Sequence, residues 1–571
     1  MSVKTYLQDQ IRLISLSGYD LFTENEYDLY MQIIETGKEL DKLYEDNVSE
    51  EEKRPLLDKK KVLKKQLETL IRQHDGTPRT VRLSSVMYSD DGVVPAGVTW
   101  YGLKNSKRIA EFACELSRAM GLKTDEATLD LIVIHWKNLD ELRQIVVEGF
   151  YMPILLDDGT VEQRKYRFFT ASAGQLRKDK CQFISEKAFK KCHMRLECGL
   201  PWEEINRRGG ANCNKVSAYQ SLPGSATEEW TDFDIDRMIV IDDFEAEVTE
   251  RFEYIKPDYT TEKGIKTVKI KQTDGCGMML PCVSLYNFML RICWIKGLLI
   301  SFDFLKFCRV HGIDHPKIKD IYGKECDLIE DNIQIIIFKS MFKMYKYYNS
   351  WQAYKDAFRA NNCKAGRTNY EEEYLPNKTI SYQFINSLVD MTDEEIAKFT
   401  AKEHERIKNL TKDSQTMLQV LGAKENSESP YKAALFYYPE LLREAYSRET
   451  LKDIRKRMLL DAKSGTIKCD NKRLYACPDL YGVCQHIFLG QEQPEGLLKN
   501  GVVACKILRK YKRADVLRSP HLSFEHALRD IAQEDEVYDW FYTNGIYLSN
   551  HDAISRILML DQRSRVNAVN L

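Results

Sequence analysis

Thr273-Asp274-Gly275-Cys276-Gly277-Met278-Met279, followed by Arg291-Ile292-Cys293-Trp294-Ile295-Lys296-Gly297, is the stretch that decides the fold. Two glycines frame a tight turn after the strand-like run Thr267-Val268-Lys269-Ile270-Lys271. An apolar segment holding two isolated cations, Arg291 and Lys296, comes next, and a further apolar run follows it. Glycines at such a turn let another backbone come close. A cation in an otherwise buried strand is costly unless it meets an anion. A barrel that presents a lysine to phosphate satisfies both conditions. Blander readings stand beside this one. Lys296 can snorkel from a buried strand to the surface, Arg291 can pair with a carboxylate, and Asp274-Gly275 can be an ordinary strand–turn–strand.

The whole chain sets the bounds. Its 571 residues are enough for several domains. With 43% hydrophobic and 30% charged residues it reads as a folded, soluble protein. The net charge of −2 gives no global basic excess, so any nucleic-acid surface must be a local cleft. No segment near the start pairs a basic flank with an apolar core, so no signal peptide is read. The most apolar region, 281–308, holds Arg291, Lys296, Asp303 and Lys306 and is too charged to span a membrane. Fifteen cysteines without disulfide-scaffold spacing fit a reducing cytoplasm.

Working outward, 1–80 reads as a helical hairpin. Leu29, Ile33, Leu40 and Leu43, then Leu56, Leu63, Leu67 and Leu70, recur at helical spacing, with a capping box from Ser49 to Glu52. Region 81–160 is a mixed α/β adaptor, with helices expected over 111–120, 125–134 and 140–147 and a hairpin around Asp158-Gly159. Region 161–325 alternates β-type runs with glycine and proline turns, 326–462 is a helical insert, and 463–571 returns to β-type patterning.

Within this frame the motifs resemble the two-barrel RNA polymerases, a family that includes the eukaryotic RNA-silencing polymerases and the YonO-type phage single-chain enzymes. Asp274-Gly275-Cys276-Gly277, Phe288-Met289-Leu290-Arg291 and Lys296-Gly297-Leu298-Leu299 are similar to its first double-psi barrel. Phe168-Phe169-Thr170-Ala171-Ser172-Ala173-Gly174-Gln175-Leu176-Arg177 resembles the segment upstream of it. Leu474 to Val483, with Asp479 and Gly482, and Val516-Leu517-Arg518-Ser519-Pro520 resemble the second barrel. The resemblance covers about 165–561. It implies an α+β fold, with a double-psi β-barrel polymerase core, a helical N-terminal region and a helical insert.

The resemblance also implies templated transfer of nucleotides from NTPs to an RNA product on a DNA or RNA template. The motif wording is closer to the DNA-templated phage side. Lys296, with Arg291, would neutralise phosphate charge, the Asp274-Gly275-Gly277 turn would lie in the same neighbourhood, and Arg518 would meet the nucleic-acid backbone. Magnesium would be held by an Asp-x-Asp-Gly-Asp loop. Here the sequence departs: Asp561 is followed by Gln562-Arg563-Ser564-Arg565. Arginines repel the metal that carboxylates hold. Asp561 is then the one catalytic metal ligand left, the second barrel is expected to be incomplete, and the chain is expected to be inactive by itself. A truncation, a frameshift, a split enzyme completed by a second polypeptide, or a non-catalytic nucleic-acid-binding or assembly role would each account for that ending.

Four further sets carry less. His551-Asp552 reads as structural, because neighbours on a strand point to opposite faces. Cys192-His193 with Cys198 and Cys213, and Cys469, Cys477, Cys484 and His486, lack the paired spacing of zinc ligands. Met344, Tyr348 and Trp351 share a helical face and read as core, although tyrosines there can stack on bases.

Overall fold

The computed structural model describes residues 10–46, 48–74, 76–82, 108–122, 127–135, 143–155, 160–171, 180–372, 379–380, 382–387, 390–427, 429–468, 471–518, 526–558 and 565–570. The chain divides into two compact units, the first made of Met1–Asp236, Leu290–Lys296 and Phe342–Asn369, the second of Arg237–Met289, Gly297–Met341 and Tyr370–Leu571. Among the described residues, no helix is long and apolar enough to cross a membrane.

The first unit is built on a seven-stranded sheet. Its order is Arg79–Thr80, Phe150–Leu155, Val161–Thr170, Lys180–Ser185, Ala127–His135, Gln10–Ser17 and Arg108–Phe112. Ala127–His135 lies inside this sheet, parallel to Gln10–Ser17 and antiparallel to Lys180–Ser185. Both of its faces are buried: Ile132 and Ile134 enter one core, Leu131 and Val133 the other. The helix expected over 125–134 is therefore a strand. Burial on both faces removes the polar alternation that marks a half-buried strand. The helix expected over 111–120 is shorter, Glu115–Ala119, and follows the strand Arg108–Phe112. The third is present as Arg143–Glu148.

The N-terminal helices are Glu24–Glu45 and Glu50–Arg72. Ser49 caps the second, its side chain accepting from the Glu52 N–H. The complete capping box belongs to the first helix, where Thr23 and Glu26 exchange both bonds. Buried Glu26 also takes a bidentate pair from Arg79, at 2.6 and 2.9 Å, which anchors the helix to the edge of the sheet.

The second unit contains both β regions. In the first, Cys276–Met279 runs parallel to Ile295–Ser301 and antiparallel to Ile335–Phe338, which runs parallel to Met238–Ile241. The second is a closed six-stranded barrel, in the order Asn471–Pro478, Ile546–Leu548, Val502–Ala504, His526–Ile531, Arg513–Leu517 and Arg565–Asn570. The incomplete second barrel expected from the sequence is thus corrected. Arg565–Asn570 pairs antiparallel with Asn471–Pro478 on one side and Arg513–Leu517 on the other, closing the ring.

The two β regions share one apolar core, in which Met278, Ile300, Phe302, Phe307 and Phe338 pack with Leu480, Val483, Trp540 and Tyr547. Between 326 and 462 the chain is only partly helical. Ser350 caps Trp351–Ala360, Thr392 caps Asp393–Asn409, and Ala445–Lys463 follows. Lys339–Met341 and Tyr345–Tyr347 are single 3₁₀ turns.

Candidate functional site

The glycine turn is held by a chain of hydrogen bonds in the second unit. Gly275 has φ +77°, a conformation that favours glycine. Its N–H donates to Ser340 Oγ at 2.7 Å, and that hydroxyl donates to Asp243 Oδ1 at 2.6 Å. The Ser340 N–H donates to Asp243 Oδ2 at 3.0 Å. The Gly275 carbonyl accepts from the Leu298 N–H at 3.0 Å. A Cβ on Gly277 would stand 2.7 Å from the Ile336 carbonyl oxygen, and one on Gly297 would collide with the Gly275 carbonyl. Burial raises the Asp243 carboxyl above its ordinary range, Ser340 and Lys271 oppose the shift, and the charge of Asp274 adds to it. Backbone packing and φ account for these glycines, and the local field is acidic.

Arg291 and Lys296 lie on consecutive strands, Phe288–Ile292 and Ile295–Ser301, and belong to the first unit together with the turn between them. Trp294 takes φ +62° in that turn. Its indole N–H donates to the Glu197 carbonyl at 2.8 Å, and the Tyr354 hydroxyl donates to the Cys293 carbonyl at 2.7 Å. Lys296 is half-buried, with Nζ 5.4 Å from the centre of the Tyr219 ring. Arg291 is half-buried and lines a small cavity of about 40 Å³ with Phe169, Tyr219, Trp294, Lys364 and the carboxylates Glu115 and Glu197. Burial raises the carboxyls of Glu115 and Glu197; Arg195 and Arg118 oppose it at Glu115, and Trp202 opposes it at Glu197.

In the second barrel, Asp479 is fully buried and caps the helix Leu480–Leu489. Its carboxylate accepts from the N–H groups of Gly482, Leu497 and Leu498 at 3.0, 2.7 and 2.9 Å. Asn550 Nδ2 donates to the Asp479 carbonyl, and the Asn550 carbonyl accepts from Gln272, a buried polar seam between the two β regions. Arg518 follows the strand Arg513–Leu517 and donates to the Leu558 carbonyl at 3.4 Å. Asp561 falls outside the described residues. His551 and Asp552 stand in a turn after Ile546–Leu548 rather than on a strand. His551 reaches the Glu495 carbonyl at 2.8 Å while Asp552 binds Arg529, so they do not act jointly.

Cys469 and the side chain of Cys213 fall outside what is described; among the described residues the group with metal-ligand geometry is His315, Asp327 and Glu330. Met344, Tyr348 and Trp351 are buried in an aromatic cluster with Phe342 and Tyr354, as the core reading expects.

The fold is mixed α+β, with one β region closed into a ring that shares an apolar core with a second β region. No family model matches the chain. The chain is 36% identical over 563 residues to the DNA-directed RNA polymerase YonO of Bacillus phage SPbeta. The likeness to YonO-type enzymes therefore runs along 98% of this chain. The chain spans 63% of the length of that relative. Among solved structures it matches the RNA dependent RNA polymerase QDE-1 from Thielavia terrestris with a TM-score of 0.49 and 12% identity, over 81% of this chain and 50% of that one.

Proposed function

We propose that this chain handles template, transcript and nucleotides in a phage-type, two-barrel RNA polymerase, with DNA favoured over RNA as template. The observation that carries the reading is the 36% identity to a DNA-directed enzyme along 98% of the chain. In this reading both β regions are double-psi barrels. Lys296 and Arg291 neutralise phosphate charge, the Asp274-Gly275-Gly277 turn borders the same ground, and Arg518 meets the nucleic-acid backbone.

Magnesium, bound by clustered carboxylates, would supply activation of the attacking hydroxyl and stabilisation of the departing pyrophosphate. The residues present do not fit that pair of ions. Asp561 is followed by Gln562, Arg563, Ser564 and Arg565, and Arg565 opens the barrel-closing strand opposite Tyr475. Among the described residues, no all-carboxylate cluster with metal-ligand geometry occurs. The proposal is therefore binding without nucleotidyl transfer by this chain alone.

Two measurements test it. Extension with labelled NTPs and Mg²⁺ on DNA and RNA templates is expected to give no product; robust product overturns the inactivity. Binding to single-stranded DNA is expected to weaken steeply with salt, and further in Lys296→Ala. Absence of binding at low salt overturns the nucleic-acid reading.

A further inference from the structure

A second site lies on a short hairpin of the second unit, and none of its side chains has a part in the proposed function. His315 precedes the strand Lys317–Lys319, which pairs with Glu325–Asp327 in the register Lys317↔Asp327, Ile318↔Cys326 and Lys319↔Glu325. That register returns Asp327 to the side of His315. The chain then turns tightly. Asp327 Oδ1 accepts from the N–H groups of Ile329 and Glu330 at 2.9 and 3.2 Å, which folds Glu330 back towards it. Asp331 Oδ2 accepts from the Asp327 N–H at 3.1 Å and from Cys326 Sγ at 3.0 Å. One ligand atom from each of His315, Asp327 and Glu330 lies within 4.8 Å of the others.

The remaining oxygen, Asp327 Oδ2, points to the missing component. Asp327 is only 6% exposed, yet this oxygen accepts no hydrogen bond among the described residues. It stands 3.4 Å from His315 Nδ1. That distance is long for a hydrogen bond to an ionised carboxylate. It is close to the separation of two ligands on one tetrahedral cation, about 3.4 Å for metal–ligand bonds of about 2.0–2.1 Å. A buried carboxylate oxygen whose neighbouring donor stands 3.4 Å away is poorly satisfied, and a cation removes that cost.

We propose that His315, Asp327 and Glu330 bind one divalent transition-metal ion, with Zn²⁺ the best fit. One imidazole and two carboxylates suit zinc, whereas magnesium takes an octahedral shell of oxygens and keeps several waters. His315 and Glu330 are exposed, so the fourth position opens to water and the ion exchanges. Ile318, Leu328 and Ile333, on the same hairpin and turn, belong to the core shared by the two β regions. The ion thus clamps a loop that supports that core and takes no part in nucleotidyl transfer. Binding then shows as stability.

The test is calorimetric titration of the full chain, stripped of metal and freed of chelator, with ZnSO₄, alongside Co²⁺ absorption and thermal denaturation. One Zn²⁺ per chain and a raised Tm are expected, with a Co²⁺ spectrum free of thiolate charge transfer. His315→Ala and Glu330→Gln should each weaken binding by about tenfold or more while leaving the metal-free Tm unchanged. Asp327 is left intact, because its other oxygen holds the turn. Excess MgCl₂ should not displace the ion. Absence of Zn²⁺ binding, equal binding in both variants, or a thiolate band each overturns the proposal, whatever the fate of the polymerase reading.

Discussion

Arg529 lays its guanidinium fork on the carboxylate of Asp552, Nε on Oδ2 at 2.5 Å and Nη2 on Oδ1 at 2.6 Å. Asp552 is fully buried, and the Arg529 side chain is 12% exposed. Asp552 Oδ1 also accepts from the Ile554 N–H, so the pair fixes the turn that follows Ile546–Leu548. Burial alone would disfavour the charge on Arg529; Asp552 more than restores it. Removing one partner strands a buried charge. Arg529→Ala is expected to lower stability by about 3–5 kcal/mol, read from the urea midpoint, and Arg529→Met with Asp552→Leu should recover most of the loss.

The glycines of the first β region make a second prediction. Gly277→Ala and Gly297→Ala each drive a methyl group into a backbone carbonyl and are expected to cost about 1–3 kcal/mol. Gly264→Ala meets nothing within 4 Å at an ordinary φ and should be neutral or slightly stabilising. Thermal denaturation of the three variants separates close packing from the presence of glycine as such.

Asp479 offers a third. Asp479→Ala leaves three N–H groups without their acceptor in a site closed to water. A loss of about 3 kcal/mol or more is expected in urea unfolding. Asp479→Asn keeps one acceptor oxygen and should lose less.

The sequence made this aspartate visible, though as a motif letter rather than as a cap. Asp479 and Gly482 were legible together because the carboxylate of one receives the N–H of the other. The strand-like run Thr267 to Lys271 was legible from β-formers ahead of a glycine turn, and the strand that contains it is longer, Thr261–Lys271. Ala127–His135 was not, since a strand buried on both faces and a helix share the same unbroken apolar run. The helical reading of 326–462 holds over Trp351–Ala360, but ahead of it the chain follows the contours of an aromatic core in two 3₁₀ turns, Lys339–Met341 and Tyr345–Tyr347. His315, Asp327 and Glu330 carry no signal at all along the chain, because a hairpin register joins them.

A fourth prediction concerns pH. His526 Nδ1 lies 3.1 Å from both oxygens of Asp515, across the paired strands Arg513–Leu517 and His526–Ile531. The hydrogen bond to Asp515 raises the His526 pKa above its ordinary value, with burial opposing. A histidine whose folded pKa is raised stabilises the fold fully below its unfolded value, near 6.5, and loses that contribution as pH rises through the folded value. Urea midpoints measured upward from pH 6 should therefore fall, and His526→Gln should remove that component of the slope. An unchanged slope in the variant would assign it to other groups.

The ring formed by Asn471–Pro478, its neighbours and Arg565–Asn570 has each strand hydrogen-bonded on both sides. Such a cylinder offers no vacant edge for an incoming strand. Another polypeptide could not extend this β region by donating a strand, as fimbrial subunits do for one another. It would have to arrive as a separately folded body and lean on a loop face, and its departure would leave the cylinder intact.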